Sequence, residues 1–297
     1  MRNQSIGAAS GPIGRPLRLL FLTSIRDVGE NDRVGDLVQV PADDPGTSSL
    51  LTKYMEGSIE RLIREMKPSG RLHGLFEVAG VVFDDIEERD LDHYSFDDPG
   101  KLWVHPRSLN LDCGKLVMDC TTNIPSYFRT LPLKYRRDRQ EQKQKFEEQL
   151  VDHFHVLKAD IIVCEHYMNI VEWPISPEGG LYGKFIKIHP AITDLSHPWA
   201  FRGCNPTMDA ITAARSTKEP VWTGATLHLI NDELDGGPII AECTDVPVFP
   251  SDDPATLRYR IYLQAKLPVC VHGLEHYGRN IYPVVESLAD DVHQAML

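Results

Sequence analysis

The sequence predicts an α/β protein in which a mostly parallel β-sheet carries helices on both faces. Short apolar runs of strand length alternate along the chain with longer segments whose apolar residues recur every three or four positions. This alternation is typical of parallel strands joined by helical crossovers. The chain has 297 residues, 42% of them hydrophobic and 25% charged, which is enough material for one substantial core.

The first residues are expected to stand apart from the folded domain. Residues 1–16 are rich in glycine, alanine and serine and contain no apolar block, which indicates a flexible tail without a secretion signal. Residues 17–297 are predicted to form a single domain. An inserted excursion is predicted around residues 84–115, because residues 84–100 are crowded with acids and end in Asp-Pro-Gly.

The first half of the domain is predicted to contain two strands and one helix. Residues 17–23 are almost entirely apolar, as expected for a buried parallel strand. Residues 50–66 carry apolar side chains at helical spacing, and Pro68 closes that segment. A second strand is predicted at residues 75–83.

The second half is predicted to alternate more regularly. The predicted helices are 135–157, 205–215 and 252–277, the last with a cap at Ser251 or Asp252, and the predicted strands are 160–164, 185–188, 221–230 and 238–248. Ligands of such sheets bind beyond the carboxyl ends of the strands. We therefore expect the functional site in the loops that follow residues 163, 188 and 230.

The charge and hydropathy of the chain exclude two kinds of partner. Its formal net charge is −12, from 31 basic and 43 acidic residues, and this field repels a polyanion. The basic stretch at residues 134–145 also carries acids, as is usual for a solvated helix face. No apolar run approaches the ~20 residues needed to cross a bilayer. We predict a cytoplasmic protein that binds neither nucleic acid nor membrane, and a homo-oligomer is left open.

The cysteines and histidines do not form a recognisable metal site. Six cysteines are scattered without a Cys-x-x-Cys pair and are expected to be reduced thiols. His153 with His155, and His272 with His276, are close in sequence but lack a third ligand. We therefore expect no metal.

One segment combines the end of a strand, titratable side chains and a sharp bend. Residues 223–240 deliver His228 on a predicted strand and then Asp235 in an acidic turn. Gly236, Gly237 and Pro238 follow, and such residues suit a backbone that bends tightly against a ligand.

Several short motifs follow one another in this part of the chain. They are His189-Pro190, Phe201-Arg202-Gly203, Asn205-Pro206, residues 223–228 (TGATLH) and residues 234–240 (LDGGPII). In order and spacing they resemble the formyltetrahydrofolate-dependent formyltransferases and hydrolases, in particular glycinamide ribonucleotide formyltransferase and formyltetrahydrofolate deformylase. The resemblance is firm from about residue 145 to residue 280. It implies a Rossmann-like fold of the formyltransferase type and a formyltransferase-like catalytic domain.

The resemblance also implies the chemistry. A formyl group on N10 of 10-formyltetrahydrofolate is attacked by an amine or by water, and the tetrahedral oxyanion needs a nearby positive donor rather than a metal. His189 is expected to fill that role as an imidazolium, held by the carboxylate of Asp235. Asp235 is also expected to take the proton of the amine through water.

Two segments are expected, by the same resemblance, to hold the pterin ring. The first consists of His166, Tyr167, Met168, Asn169, Ile170 and Val171, of which residues 167–170 look like the deformylase version of the folate-binding loop. The second consists of Asn231, Asp232, Glu233 and Leu234. Three further residues, His228, Arg202 and Gly203, are expected to bind substrate or to support the catalytic residues.

The sequence departs from the family at one catalytic position. The usual motif is Asn-x-His, whereas this chain has Lys187-Ile188-His189. Because side chains alternate along a strand, Lys187 is expected on the same side as His189. Lys187 is therefore a third catalytic candidate, either as the cation that stabilises the oxyanion or as a change that weakens the chemistry, and its charge is expected to lower the pKa of His189.

Three functions remain open from the sequence. The primary interpretation is formyl transfer from 10-formyltetrahydrofolate to an unidentified small amine acceptor. Hydrolysis of the same donor is the first alternative, and a catalytically silent folate-binding protein is the second. Residues 23–29 lack the phosphate loop of members that formylate glycinamide ribonucleotide, which argues against a role in purine synthesis.

Overall fold

The computed structural model describes residues 14–25, 34–41, 50–90 and 105–287. The strands in chain order are β1 (Leu17–Thr23), β2 (Asp36–Pro41), β3 (Leu50–Met55), β4 (Phe76–Phe83), β5 (Thr121–Asn123), β6 (Ile161–Glu165), β7 (Phe185–His189), β8 (Val221–Leu229) and β9 (Ile239–Val248). The α-helices are α1 (Ser58–Met66), α2 (Glu87–Asp90), α3 (Arg136–Val156), α4 (Pro206–Ser216), α5 (Pro254–Ile261) and α6 (Leu267–His276). Short 3-10 turns lie at Val117–Cys120, Tyr127–Thr130 and Trp173–Ile175, and π-helical turns at Tyr262–Lys266 and Tyr277–Ile281.

The main sheet has seven strands in the order β5-β4-β1-β6-β7-β8-β9. The strands from β5 to β7 pair in parallel, whereas β8 pairs antiparallel with both β7 and β9. The mostly parallel sheet predicted from the sequence is therefore confirmed. Its two antiparallel strands form a hairpin, because only a short turn joins β8 to β9 and a parallel crossover needs a longer connection.

Both faces of the sheet are buried, as the near-continuous apolar strands predict. In β6, Ile161 and Val163 join a core cluster that includes residues of α1, α4, α5 and α6, while Ile162 and Cys164 join a second cluster that includes residues of α3. Helices therefore cover both faces of the sheet.

Two predictions for single elements were wrong. The helical interpretation of residues 50–66 fails for its first third, because Leu50–Met55 pairs antiparallel with Asp36–Pro41 and the helix begins only at Ser58. Six residues are too few to distinguish helical from strand periodicity, and the pairing partner was not predicted. The segment predicted as a helix at residues 252–277 begins with α5, whose cap is Asp253. The carboxylate of Asp253 accepts from Thr256 N at 2.8 Å, whereas Asp252 pairs with Arg260.

Some predicted segments lie outside the described residues. They are residues 1–13 of the predicted tail, residues 26–33 and 42–49 of the loop after β1, and residues 91–104 of the predicted excursion. Among the helices that are described, none has the length and apolar character that a membrane span requires.

Candidate active site

Strands β7 and β8 bring four titratable side chains together at one end of the sheet. Lys187 and His189 alternate with Ile188 on β7, and Lys187 lies directly opposite His228 of β8 in the antiparallel register. Asp235 comes from the turn that follows β8. The sequence-based expectation that Lys187 and His189 share a side is confirmed, because both contact the same carboxylate.

Asp235 occupies the centre of this group. Its Oδ1 lies 2.8 Å from the Lys187 ammonium and 3.8 Å from Nε2 of His228. Its Oδ2 lies 3.5 Å from Nδ1 of His189 and accepts a hydrogen bond from Gly203 N at 3.0 Å. Burial alone would raise the pKa of Asp235, but the neighbouring His189 and Lys187 and the Gly203 hydrogen bond hold it below its usual range. The carboxylate is therefore ionised at neutral pH.

The turn that carries Asp235 is locally strained. Asp235 has φ of +50°, a conformation that residues other than glycine seldom adopt. A Cβ on Gly237 would lie 1.8 Å from the carbonyl oxygen of Leu229, so that only glycine permits this close approach. The turn therefore fixes Asp235 against the end of β8.

Burial favours the neutral form of His189 over the expected imidazolium. Its Nε2 lies 2.8 Å from the carbonyl oxygen of Phe201, which can only accept, so Nε2 carries the hydrogen and donates it. Burial lowers the pKa of His189 to about 4, with a further contribution from Lys187, and this outweighs the opposing effect of Asp235. The family resemblance predicted Asp235 as the partner of His189, but it could not predict how deeply His189 is buried.

An NMR titration tests this protonation state directly. With its pKa near 4, His189 should stay neutral from about pH 5 to pH 8, where an ordinary histidine titrates, and should protonate only in more acidic solution. The imidazole carbon-bound hydrogens report each ring, and comparison with His189→Gln assigns the signal. A His189 resonance that titrates near pH 6.5 would contradict the assignment.

A cavity of about 380 Å³ opens beside this group, beyond the carboxyl ends of β6 and β7. Its lining consists of His166, Tyr167, Met168, Lys187, Ile188, His189, Pro190, residues 203–208, Arg258, Tyr262 and Lys266. Lys187 and His189 therefore face the cavity. Asp235 lies behind them, with only 1% of its side chain exposed.

The first predicted pterin segment is only partly at the cavity. Within residues 166–171, the cavity is lined by His166, Tyr167 and Met168. Asn169 instead donates a hydrogen bond to the buried carboxylate of Asp84 at 2.9 Å. Ile170 is exposed, and Val171 packs in the core. The segment therefore approaches the cavity through its first half.

The second predicted pterin segment lies outside the cavity lining. Asp232, Glu233 and Leu234 are exposed, and Asn231 accepts from Glu233 N at 3.0 Å within its own turn. None of these four residues belongs to the cavity lining that the described residues form. A role in pterin binding stays a prediction for these residues.

The three supporting candidates differ in position. Gly203 lines the cavity and holds Asp235, whereas Arg202 donates from Nε to the Thr193 carbonyl at 2.8 Å and is not part of the lining. His228 is buried, with Nδ1 2.8 Å from the Leu229 carbonyl. Its Nε2 faces Asp235 and has no hydrogen-bond partner among the described residues.

A second polar group on the cavity wall escaped the sequence analysis. Lys266 donates to Glu165 Oε1 and to the Tyr262 hydroxyl, both at 2.8 Å, and His166 Nε2 lies 2.6 Å from that hydroxyl. Tyr262 and Lys266 lie on a π-helical turn, and His166 has φ of +54°. Both irregularities are frequent at functional sites. The only sequence signals were a lysine within an apolar helix and a glutamate at the end of an apolar strand.

The Glu165–Lys266 ion pair is almost completely buried, with 3% and 2% of the side chains exposed. Burial alone would raise the pKa of Glu165, but Lys266 and His166 hold it below its usual range. The charged pair therefore stabilises the fold above the pKa of an unfolded glutamate, and this contribution is lost as the pH falls through the lower, folded pKa.

Breaking this pair should cost stability. Lys266→Met leaves a buried carboxylate without its cation, and we expect the free energy of unfolding to fall by about 3–5 kcal/mol. The double variant Glu165→Gln/Lys266→Met removes both charges and should be more stable than the single variant. Urea denaturation at neutral pH measures both. A single variant as stable as the unaltered protein would contradict the contact.

Comparisons with known proteins indicate the family and the fold of this chain. The sequence model of the family described as formyl transferase matches residues 111–268, more than half of the chain. The solved structure of PvdF of pyoverdin biosynthesis, described as a structurally unique N10-formyltetrahydrofolate-dependent formyltransferase, has a TM-score of 0.75 and 25% identity. That similarity covers 89% of this chain and 99% of PvdF.

Two curated relatives match over shorter stretches. Phosphoribosylglycinamide formyltransferase of Mycobacterium tuberculosis is 31% identical over 131 residues, which is 41% of this chain and 54% of that protein. Formyltetrahydrofolate deformylase of Corynebacterium sp. is 34% identical over 84 residues, 28% of this chain and 25% of that protein. The chain thus spans about half the length of the first relative and less of the second. On the match of the family model, the chain belongs to the formyl transferase family.

Proposed function

We propose that this protein transfers a formyl group from 10-formyltetrahydrofolate, its donor substrate, to a small amine. The observation that carries the proposal is the Lys187–Asp235–His189 group at the edge of a cavity of about 380 Å³. Support comes from the similarity to PvdF, which spans nearly the whole of that formyltransferase.

Lys187 is the proposed partner of the oxyanion that forms when the amine attacks the formyl carbon. Its side chain is 19% exposed and faces the cavity, and Asp235 holds its ammonium at 2.8 Å. A fixed cation beside developing negative charge lowers the barrier, because little reorganisation is needed at the moment of reaction. The ring nitrogens of His189 face Phe201 and Asp235, so the ammonium is better placed than the imidazole for this role.

The proposal assigns the donor to the wall formed by His166, Tyr167 and Met168. These residues follow β6 directly, and β6 and β7 are parallel neighbours, so the wall lies next to the catalytic end of β7. A pterin ring needs a partly apolar surface with a few polar groups, and this wall offers both. Residues 231–234 remain a predicted second contact.

Donor turnover tests the function. The protein is incubated with 10-formyltetrahydrofolate, and release of tetrahydrofolate is followed with and without a library of small amines. Amine-dependent release with a formylated amine as product is the expected result. Absence of the formylated amine from every reaction would refute the proposal.

Hydrolysis of the donor is the alternative that a specific observation favours. Residues 167–170 look like the folate-binding loop of deformylases, and the curated deformylase is 34% identical over its matched stretch. In the same experiment this function gives formate and tetrahydrofolate at a rate that no amine changes. Tight donor binding without any turnover would indicate a silent folate-binding protein.

A further inference from the structure

Formyl transfer to an amine requires one proton to change place. The attacking nitrogen loses a proton, and N10 of the donor must gain one as its bond to the formyl carbon breaks. The reaction as a whole neither releases nor consumes a proton. A group that faces both nitrogens could therefore carry the proton and return to its starting state. The inference below rests on the proposed transfer function.

Two of the three catalytic candidates are poorly placed to carry this proton. Asp235 has 1% of its side chain exposed, is absent from the cavity lining, and its oxygens face Lys187, His189, His228 and Gly203 N. His189 reaches the cavity, but its Nε2 donates to the Phe201 carbonyl and its Nδ1 faces Asp235. Either residue would have to give up contacts before it met a substrate.

Lys187 does not have this limitation. An ammonium has three hydrogens. Within the described part of the chain, Asp235 is the one ion-pair or hydrogen-bond partner of Lys187 Nζ, which leaves two hydrogens for the cavity. We infer that Lys187 is the proton carrier of the reaction, exchanging protons with both substrate nitrogens, and that Asp235 is a positioning residue that holds its ammonium.

The steps balance without any other reactant. The lone pair of the amine forms the new C–N bond, and the carbonyl pair moves to oxygen beside Lys187. As the oxygen pair re-forms the carbonyl, the C–N10 bond breaks, its electron pair goes to N10, and Lys187 gives N10 a proton. The lone pair of the neutral Lys187 then accepts the proton that the positively charged new amide nitrogen must lose. Lys187 ends as an ammonium beside Asp235.

A side chain with a positive charge but no transferable proton distinguishes proton transfer by Lys187 from electrostatic stabilisation alone. Arginine keeps the positive charge but is not deprotonated in proteins. If Lys187 carries the proton, Lys187→Arg should lower kcat by about 100-fold, the lower end of the usual contribution of general acid–base catalysis. The dissociation constant of a non-cyclising dideaza analogue of the donor should stay the same, which shows that the site is still formed.

A small-molecule rescue provides the matched control. Lys187→Ala opens space for a small cation, and two cations of similar shape are compared at equal concentration. Trimethylammonium carries a positive charge and one transferable N–H proton, and its amine forms no stable formyl product. Tetramethylammonium carries the positive charge but no N–H proton. We expect trimethylammonium to restore part of the transfer rate of Lys187→Ala and tetramethylammonium to restore none.

The outcomes separate the inference from the function on which it rests. If Lys187→Arg transfers formyl groups at the unaltered rate, or if both cations rescue Lys187→Ala equally, Lys187 supplies charge only and the proton-carrier role is wrong while formyl transfer stands. If Lys187→Ala is not rescued by trimethylammonium at any concentration, the role is likewise rejected. If the unaltered protein transfers no formyl group, both proposals fall.

Discussion

Asp235→Asn is expected to lower kcat for formyl transfer by about 1000-fold, well within the range of general acid–base effects. The substitution keeps the shape of the side chain but removes the charge that holds the Lys187 ammonium at 2.8 Å and faces His189 at 3.5 Å. Lys187 loses the anchor of its ammonium and Gly203 N loses a charged acceptor, so the loss should exceed that of either contact alone. Single-turnover kinetics with a saturating amine measures the effect.

Glu233 provides the control for this substitution. It lies in the same turn, two residues before Asp235, but its side chain is 66% exposed and is not part of the cavity lining. Glu233→Gln should leave kcat unchanged. Circular dichroism should show that both variants are folded, because Lys187 is exposed enough to be solvated once its partner is neutral. Retention of the full rate by Asp235→Asn would remove Asp235 from the mechanism.

The convergence of the site was only partly predictable from the sequence. The carboxyl ends of parallel strands meet at one edge, and this rule places His189, the last residue of β7, beside the cavity. It does not account for Asp235, because β8 runs antiparallel to β7 and its last residue, Leu229, lies opposite Ile186 near the start of β7. Alternation along β7 predicted that Lys187 would join His189. That prediction needed only that residues 185–188 form a strand, which the structure confirms.

The protonation state of the site was not predictable in the same way. Whether His189 is an imidazolium depends on how much water reaches it and on the distances to Lys187 and Asp235. These quantities arise only when the loop containing Phe201 covers the ring and its carbonyl oxygen accepts the hydrogen bond from Nε2. Local sequence carries no measure of burial, so it could not indicate which form of the ring burial favours.

The buried pair of Glu165 and Lys266 shows a second limit. The two residues are 101 positions apart, one at the end of β6 and the other on a π-helical turn, and they meet only in the folded chain. A single lysine in an apolar helix is compatible with many surroundings, and sequence pattern alone cannot identify its partner. The strand Asp36–Pro41 was missed for a related reason. Its partner β3 is short, and the apolar pattern of β3 also fitted a helix, so no strand was predicted for Asp36–Pro41 to pair with.

His189→Gln is expected to lower kcat by about 100-fold, the scale of removing one preorganised polar group from an active site. The glutamine amide can still donate to the Phe201 carbonyl, as Nε2 of His189 does at 2.8 Å, so the covering loop should keep its position. What the variant lacks is the ring nitrogen that faces Asp235 and the ring surface that lines the cavity. The measurement is kcat with the amine identified in the turnover experiment.

His228→Gln is the matched comparison, because both histidines are buried and both face Asp235, but His189 lines the cavity and His228 does not. If His189 contacts the reacting groups, His189→Gln should lose clearly more activity than His228→Gln. Equal losses would mean that both rings act only through Asp235, and His189 would then be a positioning residue. That result would leave Lys187 as the group of this cluster that meets the substrates, which the two-cation rescue of Lys187→Ala tests independently.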